Sequence, residues 1–98
     1  MYLYNVTIIV ENDIRDAVKQ HLDAALFRNL EPSAPFSLLE LLDSPHEGAT
    51  YCVQLRCNDR ADIIAFQTGD LASLQTGLNG QYPGKVVFFD SIMKYLNN

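Results

Sequence analysis

Two histidines and two cysteines are the side chains best suited to nucleophilic, acid–base or metal chemistry, and their spacing suits none of it. Cys52 and Cys57 lie within one run of alternating apolar residues. A separation of five places them on opposite faces of a strand, roughly 17 Å apart, beyond disulfide reach. Free thiols fit a reducing compartment. His21 falls on the apolar stripe of a helical segment, where a lone imidazole reads as a boundary or core residue rather than a general base. His46 stands beside Glu47 among turn formers and reads as a solvated loop residue. This distribution gives no zinc spacing, so neither metal nor cofactor is expected. Ser37, Ser44, Ser73 and Ser91 could enter a Ser–His–Asp arrangement, yet none stands in a nucleophile-elbow context. Gly77-Leu78-Asn79-Gly80 follows no strand and precedes no helix, which disqualifies it as a phosphate loop. No catalytic residue is assigned, and the reading leans away from an enzyme.

The apolar periodicity defines the elements that must carry any site. Tyr2, Tyr4, Val6, Ile8 and Val10 alternate with Leu3, Asn5, Thr7 and Ile9, a period of two rich in aromatic and β-branched residues, and predict a strand. From Asn12 the period changes. Ile14, Ala17, Val18, His21, Leu22, Ala25 and Leu26 form one stripe of an amphipathic helix that Asn12 or Asp13 can cap. Pro32 and Pro35 close that region. A strand over Phe36–Leu42 follows. The turn formers Asp43 to Gly48 then lead into a third strand, Thr50–Cys57, with Tyr51, Val53, Leu55 and Cys57 on one face. These two strands predict a hairpin. Arg60 to Leu78 predicts a second helix, capped by Asn58 or Asp59, with Ile63, Phe66, Leu71, Leu74 and Leu78 inward. Gly69 weakens its middle by about 1 kcal/mol relative to alanine, enough for a bend or break. After Asn79-Gly80 and Pro83-Gly84 comes a last strand, Lys85–Tyr95. The order is βαββαβ.

A chain of 98 residues buries roughly 60–65% of its extended surface and holds one core, so residues 1–98 are expected to form a single domain. The net charge of −5, with scattered basic residues, argues against nucleic acid, whose binding leaves a basic footprint. RNA-recognition domains share the βαββαβ order, but Thr50–Cys57 lacks their base-stacking aromatics and basic residue. Acylphosphatases share it too and require an arginine in the first turn. Here Val10-Glu11-Asn12-Asp13 is acidic and would repel a phosphate. The amino-terminal residues resemble neither a secretory signal nor a membrane span, so the expected location is cytoplasmic.

Three segments carry a resemblance: Tyr4-Asn5-Val6-Thr7-Ile8-Ile9-Val10, Thr50-Tyr51-Cys52-Val53-Gln54, and Val87-Phe88-Phe89. In order along the whole chain they resemble the bacterial family catalogued as domain of unknown function 4286. Tryptophans associated with that family's first helix are absent, and Asp90 stands where an arginine usually follows the last-strand phenylalanine. The resemblance implies a ferredoxin-like α+β sandwich, a four-stranded antiparallel sheet with two helices on one face. It also implies a dimer, related in architecture to the dimeric α/β-barrel proteins, and no assigned activity.

In such a sheet, ordered four, one, three, two, strand parity decides which side chains face away from the helices. Strand one buries its even positions and leaves Leu3, Asn5, Thr7 and Ile9 on the open face; strand three leaves Cys52, Gln54 and Arg56. Burying Val87 and Phe89 on strand four would add Val86, Phe88, Asp90 and Ile92, although a shift of one residue would turn Asp90 inward. The candidate site is therefore Asn5, Thr7, Gln54, Arg56 and Asp90, fringed by apolar side chains. The leading reading is an interface closed by twofold pairing of identical chains, making the protein a homodimeric structural or interaction module. The alternative is a small-molecule binding protein or cofactor-free enzyme of the dimeric α/β-barrel type, with Arg56 holding a carboxylate or phosphate and Asn5, Thr7 and Gln54 orienting it. The third is a solvated face with an Arg56–Asp90 ion pair worth under about 1 kcal/mol.

Overall fold

The computed structural model of the protein describes residues 1–27 and 35–97. Strand β1 (Tyr2–Val10) alternates as its residue types demand: Tyr4, Val6, Ile8 and Val10 are buried, and the odd positions are half-buried. A 3-10 turn over Asn12–Ile14 leads into α1 (Arg15–Leu22), which continues as a π-helical segment, Asp23–Phe27. Neither Asn12 nor Asp13 caps this helix, because the tight 3-10 entry places them inside the first turn. Ile14, Val18 and Leu22 form its buried stripe, whereas Ala17 and Ala25 are exposed. Pro32 lies outside the described residues.

Strands β2 (Phe36–Glu40) and β3 (Ala49–Cys57) pair antiparallel. β2 ends two residues short of the expected Leu42, although the Leu41 N–H still donates to the Thr50 carbonyl at 2.8 Å. The second helical region is two helices, α2 (Arg60–Thr68) and α3 (Asp70–Gln81), parted at Gly69. The glycine there has φ −105° and ψ −103°, outside the helical region. The Asp59 side chain accepts from the Ala61 N–H at 2.9 Å and caps α2. β4 (Val86–Lys94) completes an antiparallel sheet in the order β2-β3-β1-β4.

Helices α1, α2 and α3 cover one face of that sheet and share one core with its inward side chains. Tyr4 meets Phe66 edge-on at 6.1 Å between ring centroids, and Phe66 lies 5.2 Å from Phe36. Each fully buried aliphatic side chain, such as Ile8, Leu22, Ile63 or Leu78, contributes about 1.5–3 kcal/mol through removal of apolar surface from water. The result is an α+β ferredoxin-like fold, as the residue pattern predicts. Among the described residues no helix is long and apolar enough to cross a membrane.

Strand β4 departs from the expected parity. Its register sets Val86 opposite Val10, Phe88 opposite Ile8 and Asp90 opposite Val6, so the even residues lie on the helix side. Val86 is buried and Phe88 packs against the core. The paired valines and phenylalanines offer the core equal apolar volume in either register, so the strand alone cannot choose; pairing with β1 does.

The turn before β3 carries a steric requirement of its own. A Cβ at Gly48 would lie 1.9 Å from the Val10 carbonyl oxygen and 2.8 Å from His46 Nε2. Gly48→Ala is therefore expected to destabilise the fold by about 3 kcal/mol or more. The measurement is the urea midpoint at unchanged m-value; a midpoint equal to the parent's would show that the turn can move aside.

Candidate functional site

The face of the sheet turned away from the helices is ordered in rows by strand register. Its middle row runs Ser37, Gln54, Asn5, Ser91 across all four strands. The next row runs Leu39, Cys52, Thr7, Phe89. On either side lie Thr50, Ile9 and Val87, and Arg56, Leu3 and Met93. β1 and β3 place Asn5, Thr7 and Gln54 here because their opposite-parity neighbours are claimed by the core.

These polar side chains bond chiefly to one another. Gln54 Nε2 donates to Asn5 Oδ1 at 3.2 Å, and Asn5 Nδ2 donates to Thr7 Oγ1 at 2.9 Å. Thr7 Oγ1 lies 4.0 Å from Cys52 Sγ. Around this chain stand large apolar side chains with much of their surface in solvent: Leu39 45%, Val87 47%, Phe89 57% and Met93 45%. The Gln54–Asn5–Thr7 chain is thus bonded within itself, with exposed apolar side chains flanking it.

Three of the five expected site residues are thus brought together. Arg56 lies one row away and is exposed, on a cleft of about 480 Å³ at the end of β3 that it shares with Phe36, Leu55, Phe66, Asp62 and Asp70. Those two carboxylates oppose an anion there.

Asp90 belongs to the other face. Its Oδ2 accepts a 2.6 Å hydrogen bond from the Tyr4 hydroxyl, which in turn accepts from Gln67 Nε2 at 3.3 Å. The physical reason is that β1 buries Tyr4 completely, and a buried phenol needs a partner; the β4 register supplies one. An Arg56–Asp90 ion pair is accordingly not formed, the two side chains being on opposite sides of the sheet. Burial, with the Asp90 carboxylate as the second cause, pushes the Tyr4 hydroxyl up to about 12. Tyr51, whose hydroxyl donates to the Arg15 carbonyl at 3.2 Å, is also raised by burial.

The parity of β4 brings Val87, Phe89, Ser91 and Met93 onto the open face in place of Val86, Phe88, Asp90 and Ile92. No periodicity within the strand distinguishes the two sets. The other chemistry-bearing residues serve structure. His46 Nε2 lies 2.9 Å from the Val10 carbonyl oxygen and ties the β2–β3 turn to the end of β1. His21 packs beside α3 near Gly77. Cys57 is buried, and burial pushes its thiol up, which disfavours the reactive thiolate. Among the described residues no group of three His, Cys, Asp or Glu is placed to hold a metal.

The family sequence model described as domain of unknown function DUF4286 matches residues 1–96. No curated protein matches the chain. Among solved structures, the apo form of a nitrogen regulatory PII-like protein from Thiomonas intermedia K12 is similar. It is 13% identical, with 95% of this chain and 92% of that chain covered and a TM-score of 0.44.

The raised Tyr4 hydroxyl makes a pH prediction. A group whose pKa is higher folded than unfolded stabilises the fold below its unfolded value, and that contribution is lost as pH climbs through the folded value. Stability should fall between about pH 10 and 12. Tyr4→Phe should cost about 1–2 kcal/mol at neutral pH and flatten that alkaline decline, leaving the share due to Tyr51, to the buried Cys57 thiol and to Lys85, which Asp13 holds in its charged form. Thermal melts of both proteins from pH 8 to 12 decide it, and parallel curves would sink the assignment.

Proposed function

The chain belongs to the DUF4286 family, and from that premise we propose that its 98 residues form one ferredoxin-like domain working in the cytoplasm as a homodimeric interaction module, with the open sheet face as its contact surface. One observation carries the reading. On that face the polar side chains Asn5, Thr7 and Gln54 bond among themselves while Leu39, Val87, Phe89 and Met93 remain exposed. Covering such a face removes apolar area from water, which is favourable, and strands few polar groups, whose loss of solvent would be unfavourable. A catalytic or ligand site has the reverse character, with unsatisfied polar groups converging on a cavity.

A second copy is the occupant because one patch suffices for a twofold contact, each side presenting the same surface to the other. An anionic ligand held by Arg56 is the competing reading. It is disfavoured by Asp62 and Asp70 on the same cleft and by the mutual bonding of the residues that would orient the ligand.

Leu39→Asp tests the face on β2, the strand farthest from β4. The variant sets a carboxylate, and its twofold mate, into the apolar contact. We expect it to lose the face contact and halve the solution mass by light scattering, with the circular dichroism spectrum unchanged. Unchanged mass across a concentration series would reject the face as the interface. Thermal stabilisation by a carboxylate or phosphate compound, lost in Arg56→Ala, would favour the ligand reading instead.

A further inference from the structure

The outer edge of β4 is a second surface, which meets the open face at Phe89. Among the described residues β4 is an edge strand of nine residues, Val86–Lys94, with β1 as its one neighbour in the sheet. The Tyr95 N–H donates to the Met1 carbonyl, and the Lys85 carbonyl accepts from the Glu11 N–H, both at 3.1 Å. Odd residues therefore turn their backbone groups toward β1. Antiparallel pairing alternates, so the even residues Val86, Phe88, Asp90, Ile92 and Lys94 present N–H and C=O groups at the free edge. An exposed strand edge of this length is a template for pairing with another chain.

The side chains select the partner and the register. Asp90 and Lys94 are exposed and, among the described residues, have no ion-pair partner. The Asp90 bond from Tyr4 uses Oδ2, which leaves Oδ1 available. We infer that the β4 edge pairs with the β4 edge of a second copy in a twofold antiparallel ladder centred on Ile92. In that register Asp90 stands opposite the partner's Lys94 and, by symmetry, Lys94 opposite the partner's Asp90. Centring on Asp90 or on Lys94 would instead set like charges opposite each other. Centring on Ser91 or Met93 would oppose each charge with an apolar residue or leave it unmatched.

Two further pairs in that register are apolar or aromatic. Ile92, 40% exposed, meets its own copy, and Phe89 meets the partner's Tyr95, itself 41% exposed. Phe89 and Tyr95 fall at a pair without direct hydrogen bonds, where side chains approach most closely. The twofold axis of this edge contact is normal to the sheet. That of the face contact lies parallel to it, so where the two axes cross they close a tetramer.

Charge exchange tests the inference. Asp90→Lys and Lys94→Asp each create like-charge pairs across the edge and should each halve the solution mass of the parent. An equimolar mixture of the two should regain it, because one chain then carries lysine at both positions and the other carries aspartate at both, so every pair across the edge is of opposite charge. Lys94→Asp removes an exposed side chain away from Tyr4, so it reports even if Asp90→Lys perturbs the fold. Edge and face fail differently. A mass that halves in Lys94→Asp but not in Leu39→Asp keeps the edge contact and rejects the face; the converse rejects the edge. A monomeric parent, single variants of parental mass, or a mixture that fails to recover would each overturn the edge ladder.

Discussion

Every second side chain of β1, from Tyr4 to Val10, is excluded from solvent, and the strand is paired along its length with β3 on one side and β4 on the other. Because side chains alternate strictly and paired residues share a face, the parity of β1 passes to both neighbours, and through β3 to β2. The makeup of the helix-side core and of the open face therefore follows from four residues. Tyr4 is the most constraining of them, since its ring fills the core against Phe66 while its hydroxyl needs Asp90 and Gln67.

The same dependence explains which elements are legible in the sequence. Strands β1 and β3 are legible because their two faces differ in chemistry: Tyr51, Val53 and Leu55 are apolar, and Gln54 and Arg56 between them are not. The break at Gly69 is legible because a glycine at midhelix has a known conformational cost. β4 is different. Val86-Val87 and Phe88-Phe89 are equivalent candidates for burial, and the choice between them lies in long-range pairing with β1, to which no local pattern points. The candidate site divides along that line: Asn5, Thr7 and Gln54 come from strands with an internal signal, and Asp90 from the strand without one. Asn12 and Asp13 show a similar limit. Their residue types suit a cap, but the 3-10 entry moves the helix start past them.

The open face shows how a sheet keeps polar residues beside large apolar ones without a core on that side. The Gln54–Asn5–Thr7 chain crosses β3 and β1 and adds cross-strand bonding to the backbone ladder. It also fixes the orientation of both amide side chains. Their polar atoms are turned along the sheet, so the surface presented outward is more apolar than the residue names suggest.

Gly48 bears on how such a chain can vary through descent. The nearest atom in its way, the Val10 carbonyl oxygen at 1.9 Å, belongs to the backbone, so replacing the His46 ring that also crowds the position would not by itself make room for a larger residue there. Accommodation would require the end of β1 and the turn into β3 to shift together, which is a change of path and not of composition. His46, whose ring meets the same Val10 carbonyl, is bound to that path as well. Exposed side chains elsewhere can be exchanged one at a time, whereas a larger residue at this corner requires the strand end and the turn to move as a unit.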